Sequence, residues 1–464
     1  TVNPTTNTLS VIDPSTPKRL TDTTSVPSVL LSGPVAVAVD PATNLAVVAN
    51  QKNDTVSVVS LGTIQPLSIT ETSPKEFVVN STLSSAAPPS VLSPPLTVIG
   101  KGFSSSSVVR LDGASLATTF VSDRELTATV LPSSLTSARR FAVDVLESGA
   151  VSNASDFTVT QSIDVSTGCS TPPLPEGVAV DPVQNIAAVT LSGCNTIALI
   201  DLSTGTGGTV AVGTNPLGVA VLPRLHKAVV ANSQSSNASI VDELQQSAAN
   251  LNTGANPIGV AADQDTGEAA VTNSVANTVS VVNLASNGVS SISTGQHPIA
   301  VAFDYLTRQI AVAADASNSV GIATAPSGSL SASFGLSVPT SVVFDPATNS
   351  FLAASGANNS ITIYDPTTQQ QTAFLRVGIN PTAIAYNYLT GTLISTNTGS
   401  HTITVADILS KRIRAVLTLP PPPPNSALGL AGPFQFAVDI HPLTNVAVIA
   451  DTANGRVLLV PVPR

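Results

Sequence analysis

The side chains of this 464-residue chain that could do chemistry are four histidines, two cysteines and 28 carboxylates. His226, His297, His401 and His441 stand far apart, in settings such as GQHPIA and TGSHTI. A zinc site needs three or four converging His, Cys or carboxylate ligands, and no local spacing supplies them. Gly-x-Ser-x-Gly, His-Glu-x-x-His and phosphate-cradling glycine loops are missing from suitable contexts, and Gly205 to Thr209 reads as a turn. Asn50, Asn232, Asn273, Asp315, Asn397 and Asp451 recur at strand ends. They offer oxygens to a calcium ion or caps to the following turns, and capping accounts for them without a metal. No cofactor is expected.

The elements that must position these groups form a repeat. A marker proline recurs at Pro34, Pro175, Pro216, Pro257, Pro298, Pro339, Pro381 and Pro433, with spacings of 141, 41, 41, 41, 41, 42 and 52. Self-similarity at a fixed period in this range marks a repeat fold. The unit is clearest from Pro257 to Gly295: IGVAAD, a turn, AAVTN, a turn, TVSVVNL, then a fourth run ending at SISTG. Short runs rich in Val and Ile and bounded by Gly, Asn, Asp and Pro are strands. Ten residues after the marker stand Asn44, Asn185, Gly267, Asn349 and Gly391, types that tolerate positive φ in a hairpin. Asp40, Asp181, Asp263, Asp304, Asp345 and Asp439 stand six after it, where a carboxylate accepts turn N–H groups. This acidic series reads as structural.

Four-stranded antiparallel units of about 40 residues stack radially as propeller blades. The chain resembles the YVTN and NHL-type propellers through VVAN at Val47 to Asn50 and Val229 to Asn232, AVTN at Ala270 to Asn273, and NTVSVV at Asn277 to Val282. Alanine or valine replaces the aromatic of that signature. Eight first strands predict eight blades, with Ser28 to Pro34 supplying the fourth strand that the last unit lacks. On such a ring His297 and His401 fall on the mouth face and His226 and His441 on the other. The resemblance to NHL-type lyases therefore carries over no catalytic residue.

Residues 67–160 lose the period and are expected to form an insert between the third and fourth strands of the first unit. The propeller would then comprise 1–61 and 162–464. The insert resembles an IPT/TIG immunoglobulin-like domain through Gly100, Gly102, Phe103, Asp112, Gly113, Leu126 and the closing SNASDFTV. The expected fold is all-β: an eight-bladed β-propeller with an inserted immunoglobulin-like β-sandwich.

Charged residues are 10% of the chain, its net charge is -10 and its mean hydropathy is +0.33. Nucleic-acid binding needs clustered positive charge, and Lys411, Arg412 and Arg414 read as a solvated turn. No apolar run approaches the ~18 residues of a membrane span. The chain starts at Thr1 and is without Met, which reads as an exported protein with its signal removed. In that setting Cys169 and Cys194 are expected to form a disulfide. Pro420 to Pro424 reads as a stiff surface loop, and sequons stand at Asn53, Asn80, Asn153, Asn237 and Asn358.

One segment has no place in the ring: Thr6, Asn7, Thr8, Leu9, Ser10, Val11, Ile12 and Asp13 repeat the third-strand pattern. It reads as an extra outer strand, a displaced third strand, or an intersubunit arm added to a neighbour's sheet edge. The function expected is a non-enzymatic extracellular or cell-surface subunit of a layer, sheath or filament. Its partners would be other protein subunits, in a homo-oligomer or polymer. The alternatives are an adhesion module for glycan or peptide, and then a propeller lyase.

Overall fold

A computed structural model of the chain describes residues 2–13, 18–22, 31–40, 45–60, 67–83, 95–131, 135, 137–147, 149–166, 168–326, 328–419 and 436–463. Asn44, Ser28 to Leu30, Pro420 to Pro424 and Pro433 lie outside these residues.

The period is realised as sheets around one axis. Blade 1 runs Pro175–Asp181, Ile186–Leu191, Thr196–Asp201 and Gly207–Ala211, each strand antiparallel to the next. Five more sheets repeat that order from first strands Pro216–Leu222, Pro257–Asp263, Pro298–Asp304, Pro339–Asp345 and Pro381–Asn387. Blade 7 begins at Phe436–Ile440 and continues through Val446–Asp451 and Arg456–Pro461.

Second and third strands are buried on both faces, as in Ala187 to Val189 and Ile197 to Ile200, because each blade is covered by a neighbour on either side. This is why they read as unbroken apolar runs. Between blades 1 and 2, Ala188, Ile197, Val219 and Val230 share one core. Across the closing seam, Val448 and Val457 of blade 7 share another with Val180 and Val189 of blade 1.

The ring therefore closes with seven blades among the described residues, and the expectation of eight is corrected. What decides the count is the strand that fills the outer place in blade 7. It is not the N-terminal segment but Gln161 to Asp164, paired antiparallel with Arg456 to Leu459. The strand after the insert is an outer one, as expected, but of the last blade and not of the first unit.

The stretch before it folds as two facing sheets. We number the strands β1 (Val2–Asn3), β2 (Thr8–Asp13), β3 (Lys18–Asp22), β4 (Pro34–Asp40), β5 (Leu45–Asn50), β6 (Thr55–Ser60), β7 (Ser68–Ser73), β8 (Glu76–Thr82), β9 (Leu96–Lys101), β10 (Val108–Leu111), β11 (Ala114–Ser115), β12 (Ala117–Ser122), β13 (Glu125–Thr129), β14 (Arg139–Glu147), β15 (Ala150–Val151) and β16 (Ser155–Asp164). One sheet has the order β12-β13-β9-β7, and the other carries β11-β10-β14-β16, with β8 parallel to β16. Their alternating inward residues, among them Leu96, Val98, Leu126, Val143, Phe157 and Val159, form a separate core.

β16 belongs to both domains. Its first half pairs with β14 in the sandwich and its last four residues pair in blade 7, while β8 follows it from Thr158 to Asp164. A strand shared between two sheets holds the sandwich firmly on the ring.

Residues 2–60 make two small sheets, β1-β2-β3 and β4-β5-β6, and among the described residues neither pairs with a ring strand. β4, β5 and β6 have a blade's first three strands. They pack one face on Leu9 and Leu31 through Ala46, Val48 and Val59. The Thr6 to Asp13 segment is held within its own chain, since β2 pairs with β1 at Thr8 and Leu9 and with β3 from Ser10 to Asp13.

Candidate functional site: the axial channel and an uncovered blade face

The seven first strands enclose a channel of about 420 Å³. They approach closely at one level: a Cβ on Gly177 would lie 2.2 Å from the Leu217 carbonyl oxygen, and one on Gly218 would lie 2.3 Å from that of Ile258. Glycine is required there by backbone proximity. Above this level the wall is Glu176, Leu217, Ile258, Ile299, Thr340 and Thr382. Below it the wall is mainly alanine and valine, joined by Phe303, Tyr305, Phe344, Tyr386 and Asp439.

Glu176 is 9% exposed and its Oε2 has no hydrogen-bond partner. Burial among apolar neighbours pushes its carboxyl up to about 8. Thr382, at the same level, is 8% exposed and its hydroxyl is likewise without a partner. The neighbouring Thr340 hydroxyl donates to the Pro381 carbonyl at 2.8 Å.

Asp439 holds the seam. One carboxylate oxygen accepts the Val180 N–H of blade 1 at 2.8 Å, and the other accepts the Ile440 N–H at 2.8 Å. Burial raises it to about 6, against the pull of those two donors. Its expected place in the turn series is corrected. The turn position of blade 7 belongs to His441, whose Nδ1 accepts the N–H groups of Leu443 and Thr444 at 3.2 and 3.3 Å. The Asp181 carboxylate does the same for Val183 and Gln184 at 2.7 and 3.1 Å. The 52-residue final spacing moved the register by two, so the motif offset pointed at a channel residue.

The other histidines also occupy turn positions. His226, His297 and His401 have φ of 52°, 55° and 52°, the left-handed conformation that Asn185, Asn256 and Asn277 adopt at turn positions in other blades. His297 Nδ1 is 2.6 Å from Asp315 Oδ1. Among the described residues no three His, Cys, Asp or Glu side chains group as a metal site. The strand-end amides work as caps: Asn273 accepts the Gly254 N–H at 3.1 Å and donates to Thr278 and Ser280 at 3.0 and 2.9 Å. Asn232 likewise donates to Asn237 and Ser239. On the opposite face Glu243 lies beside Asp181, and burial with that neighbouring charge pushes it up to about 8. Gln184 donates to Glu243 at 3.2 Å and contacts His226 at 3.0 Å.

Cys169 and Cys194 are joined as a disulfide with Cα atoms 5.6 Å apart. The bond ties the connector entering blade 1 to the loop between that blade's second and third strands.

The β4–β6 sheet is the second notable surface. Val56 is 66% exposed, while its register equivalents in the ring, Ile197, Ala238, Val279, Val320, Ile361, Ile403 and Val457, are all 0% exposed. Val47 and Val58 on the same face are 43% and 61% exposed. Their blade 1 equivalents, Ala188 and Leu199, are buried. The sequence alone could not reveal this face, since it is written like a covered one. The Glu176 signal was readable, because it is the charged residue among those that follow the first six ring prolines.

No known family profile matches the chain, and no curated protein sequence is similar to it. Among solved structures it is similar to hydrazine synthase of Kuenenia stuttgartiensis, with 18% identity and a TM-score of 0.55, covering 64% of this chain and 97% of that one. Likeness at this level is one of fold, shared with 1182 solved chains, and fold leaves function open.

Proposed function

We propose that the chain is a non-enzymatic assembly protein that joins copies of itself through the β4–β6 sheet. The observation that carries this is Val56, exposed at a position buried in every blade of the ring. A sheet with two apolar faces needs a cover on each. Among the described residues the apolar faces of the ring's sheets are covered by neighbouring sheets, mostly of the same repeat, so the ring's blades are already committed to one another. The like sheet therefore comes from a second copy, giving a self-complementary contact.

The disulfide and the low charge support an extracellular or cell-surface setting. The two facing sheets of 67–160 support an immunoglobulin-like module of the IPT/TIG kind, and the ring's sequence supports kinship with YVTN and NHL propellers. A module fixed to the ring through β16 presents its surfaces at a set angle, which suits a layer, sheath or filament.

Sedimentation of the native chain across a wide concentration range tests the reading. Self-association that V56K/V58K abolishes, with its melting unchanged, is the expected result. A chain that stays monomeric at high concentration rejects it.

A further inference from the structure

We propose that the lower mouth of the channel, where Tyr305, Phe344 and Tyr386 line the wall and Tyr388 stands close by, binds a quaternary ammonium group. This goes beyond the assembly reading and rests on different residues.

The chain is poor in aromatic residues, 3% in all, with no Trp and four Tyr. Three of those four tyrosines, with Phe303 and Phe344, gather on the first strands of blades 4, 5 and 6 and on the turns that follow them. Blades 1, 2 and 3 carry Val180, Val221 and Ala262 where these blades carry Phe303, Phe344 and Tyr386. Phe303, Tyr305, Phe344 and Tyr386 all line the channel. The Tyr305 ring meets Phe344 edge to face, with centroids 5.7 Å apart, and is still 40% exposed. Tyr388 is 54% exposed. Burial, then the neighbouring Tyr388, Asp265, Asp304 and Asp345, hold the Tyr305 hydroxyl above its ordinary range, so the field of three carboxylates reaches this ring. Open aromatic faces in a negative field attract a cation.

The hydrogen bonds those carboxylates already make decide which cation. Asp304 accepts the N–H groups of Leu306 and Thr307 at 2.8 and 3.1 Å, and the Thr307 hydroxyl. Asp345 accepts the Ala347 N–H at 2.9 Å and the Thr348 hydroxyl at 2.6 Å. Asp265 is paired with Arg224. An ammonium or a guanidinium brings N–H donors that need acceptors of their own, and these oxygens are engaged. A hard metal ion needs oxygen ligands in the same way. A quaternary ammonium has no donor. Its charge is spread over methyl groups, which rest on aromatic faces and feel the field without a hydrogen bond. Two sources share this chemistry: a free choline-like molecule and the trimethyllysine side chain of a protein.

The test follows the N-methyl proton signal of each probe by NMR as the full chain is added. The probes are choline and Nα-acetyl-trimethyllysine methylamide. The controls are 3,3-dimethyl-1-butanol, the neutral carbon analogue of choline, and methyl glucoside. The expected result is an upfield, ring-current shift that saturates in the millimolar range or below. Tyr305→Leu should weaken binding about ten-fold and Tyr388→Leu about three-fold, while Tyr305→Phe, which keeps the ring, should change it less than about three-fold. Melting curves show that each variant is folded. Tighter binding of the trimethyllysine amide identifies a protein side chain as the source, and binding of choline as tightly or more identifies a free molecule. No saturable shift with either probe, equal binding of either control, or unchanged binding by both leucine variants overturns the proposal.

Discussion

The Asp439 carboxylate accepts the backbone N–H of Val180 at 2.8 Å, linking the last blade to the first across the seam of the ring. The other six first strands place alanine or valine at that level, at Ala179, Ala220, Ala261, Ala302, Val343 and Ala385. The one carboxylate thus stands where the two ends of the ring meet.

Removing that acceptor is expected to loosen closure. Asp439→Ala should lower stability by about 1–3 kcal/mol by leaving a buried N–H unpaired. Asp439→Asn keeps a carbonyl acceptor and should cost less than about 1 kcal/mol. Urea unfolding of the three proteins at one pH measures both.

Two buried carboxyls govern the alkaline end of the pH dependence, above the range in which Asp439 titrates. Glu176 and Glu243 are raised to about 8, so the folded state holds their protons more tightly than the unfolded chain does. Their contribution is complete below the ordinary glutamate range and is lost as pH rises through about 8. Stability should accordingly fall between pH 5 and 8.5. Glu176→Gln and Glu243→Gln should each flatten the fall and gain roughly 1–3 kcal/mol at the alkaline end. Melting temperatures across that range check the sign.

The disulfide closes a loop of sequence separation 25. Cys169→Ser/Cys194→Ser should cost about 3 kcal/mol, and hydrogen exchange should rise first in the connector before blade 1.

Because β16 is paired at Ser162 with Leu458 on one side and Asn80 on the other, Ser162→Pro should remove the one ladder hydrogen bond that its N–H donates and distort the strand where both neighbours pair with it. A loss of about 3 kcal/mol or more is expected. Sandwich and blade 7 should lose protection together in hydrogen exchange. Loss confined to the blade would show that the two do not share the strand.

Much of the ring was legible in the sequence because turn chemistry is local. Asn185, Gly267, Asn349 and Gly391 take the positive φ that their spacing from the marker proline implied, and Asp181, Asp263, Asp304 and Asp345 cap the turns. The number of blades was not legible. Val47, Val56 and Val58 have the same character as their buried equivalents, and periodicity states which face is apolar without stating what covers it. The outer place in blade 7 could be filled by any alternating strand, and Gln161 to Asp164 fills it from the end of the sandwich. Glu176 has no place in the sequence reading and Asp439 falls into its turn series, because each looks like an ordinary strand-end acid until the seven strands converge.

A chain reduced to residues 67–464 tests the central claim most directly. With ring closure supplied by β16 and the valine face outside the ring, this variant should melt as cooperatively as the full chain and sediment as a monomer at concentrations where the full chain self-associates. Loss of the cooperative transition would place residues 1–60 inside the ring and contradict the account.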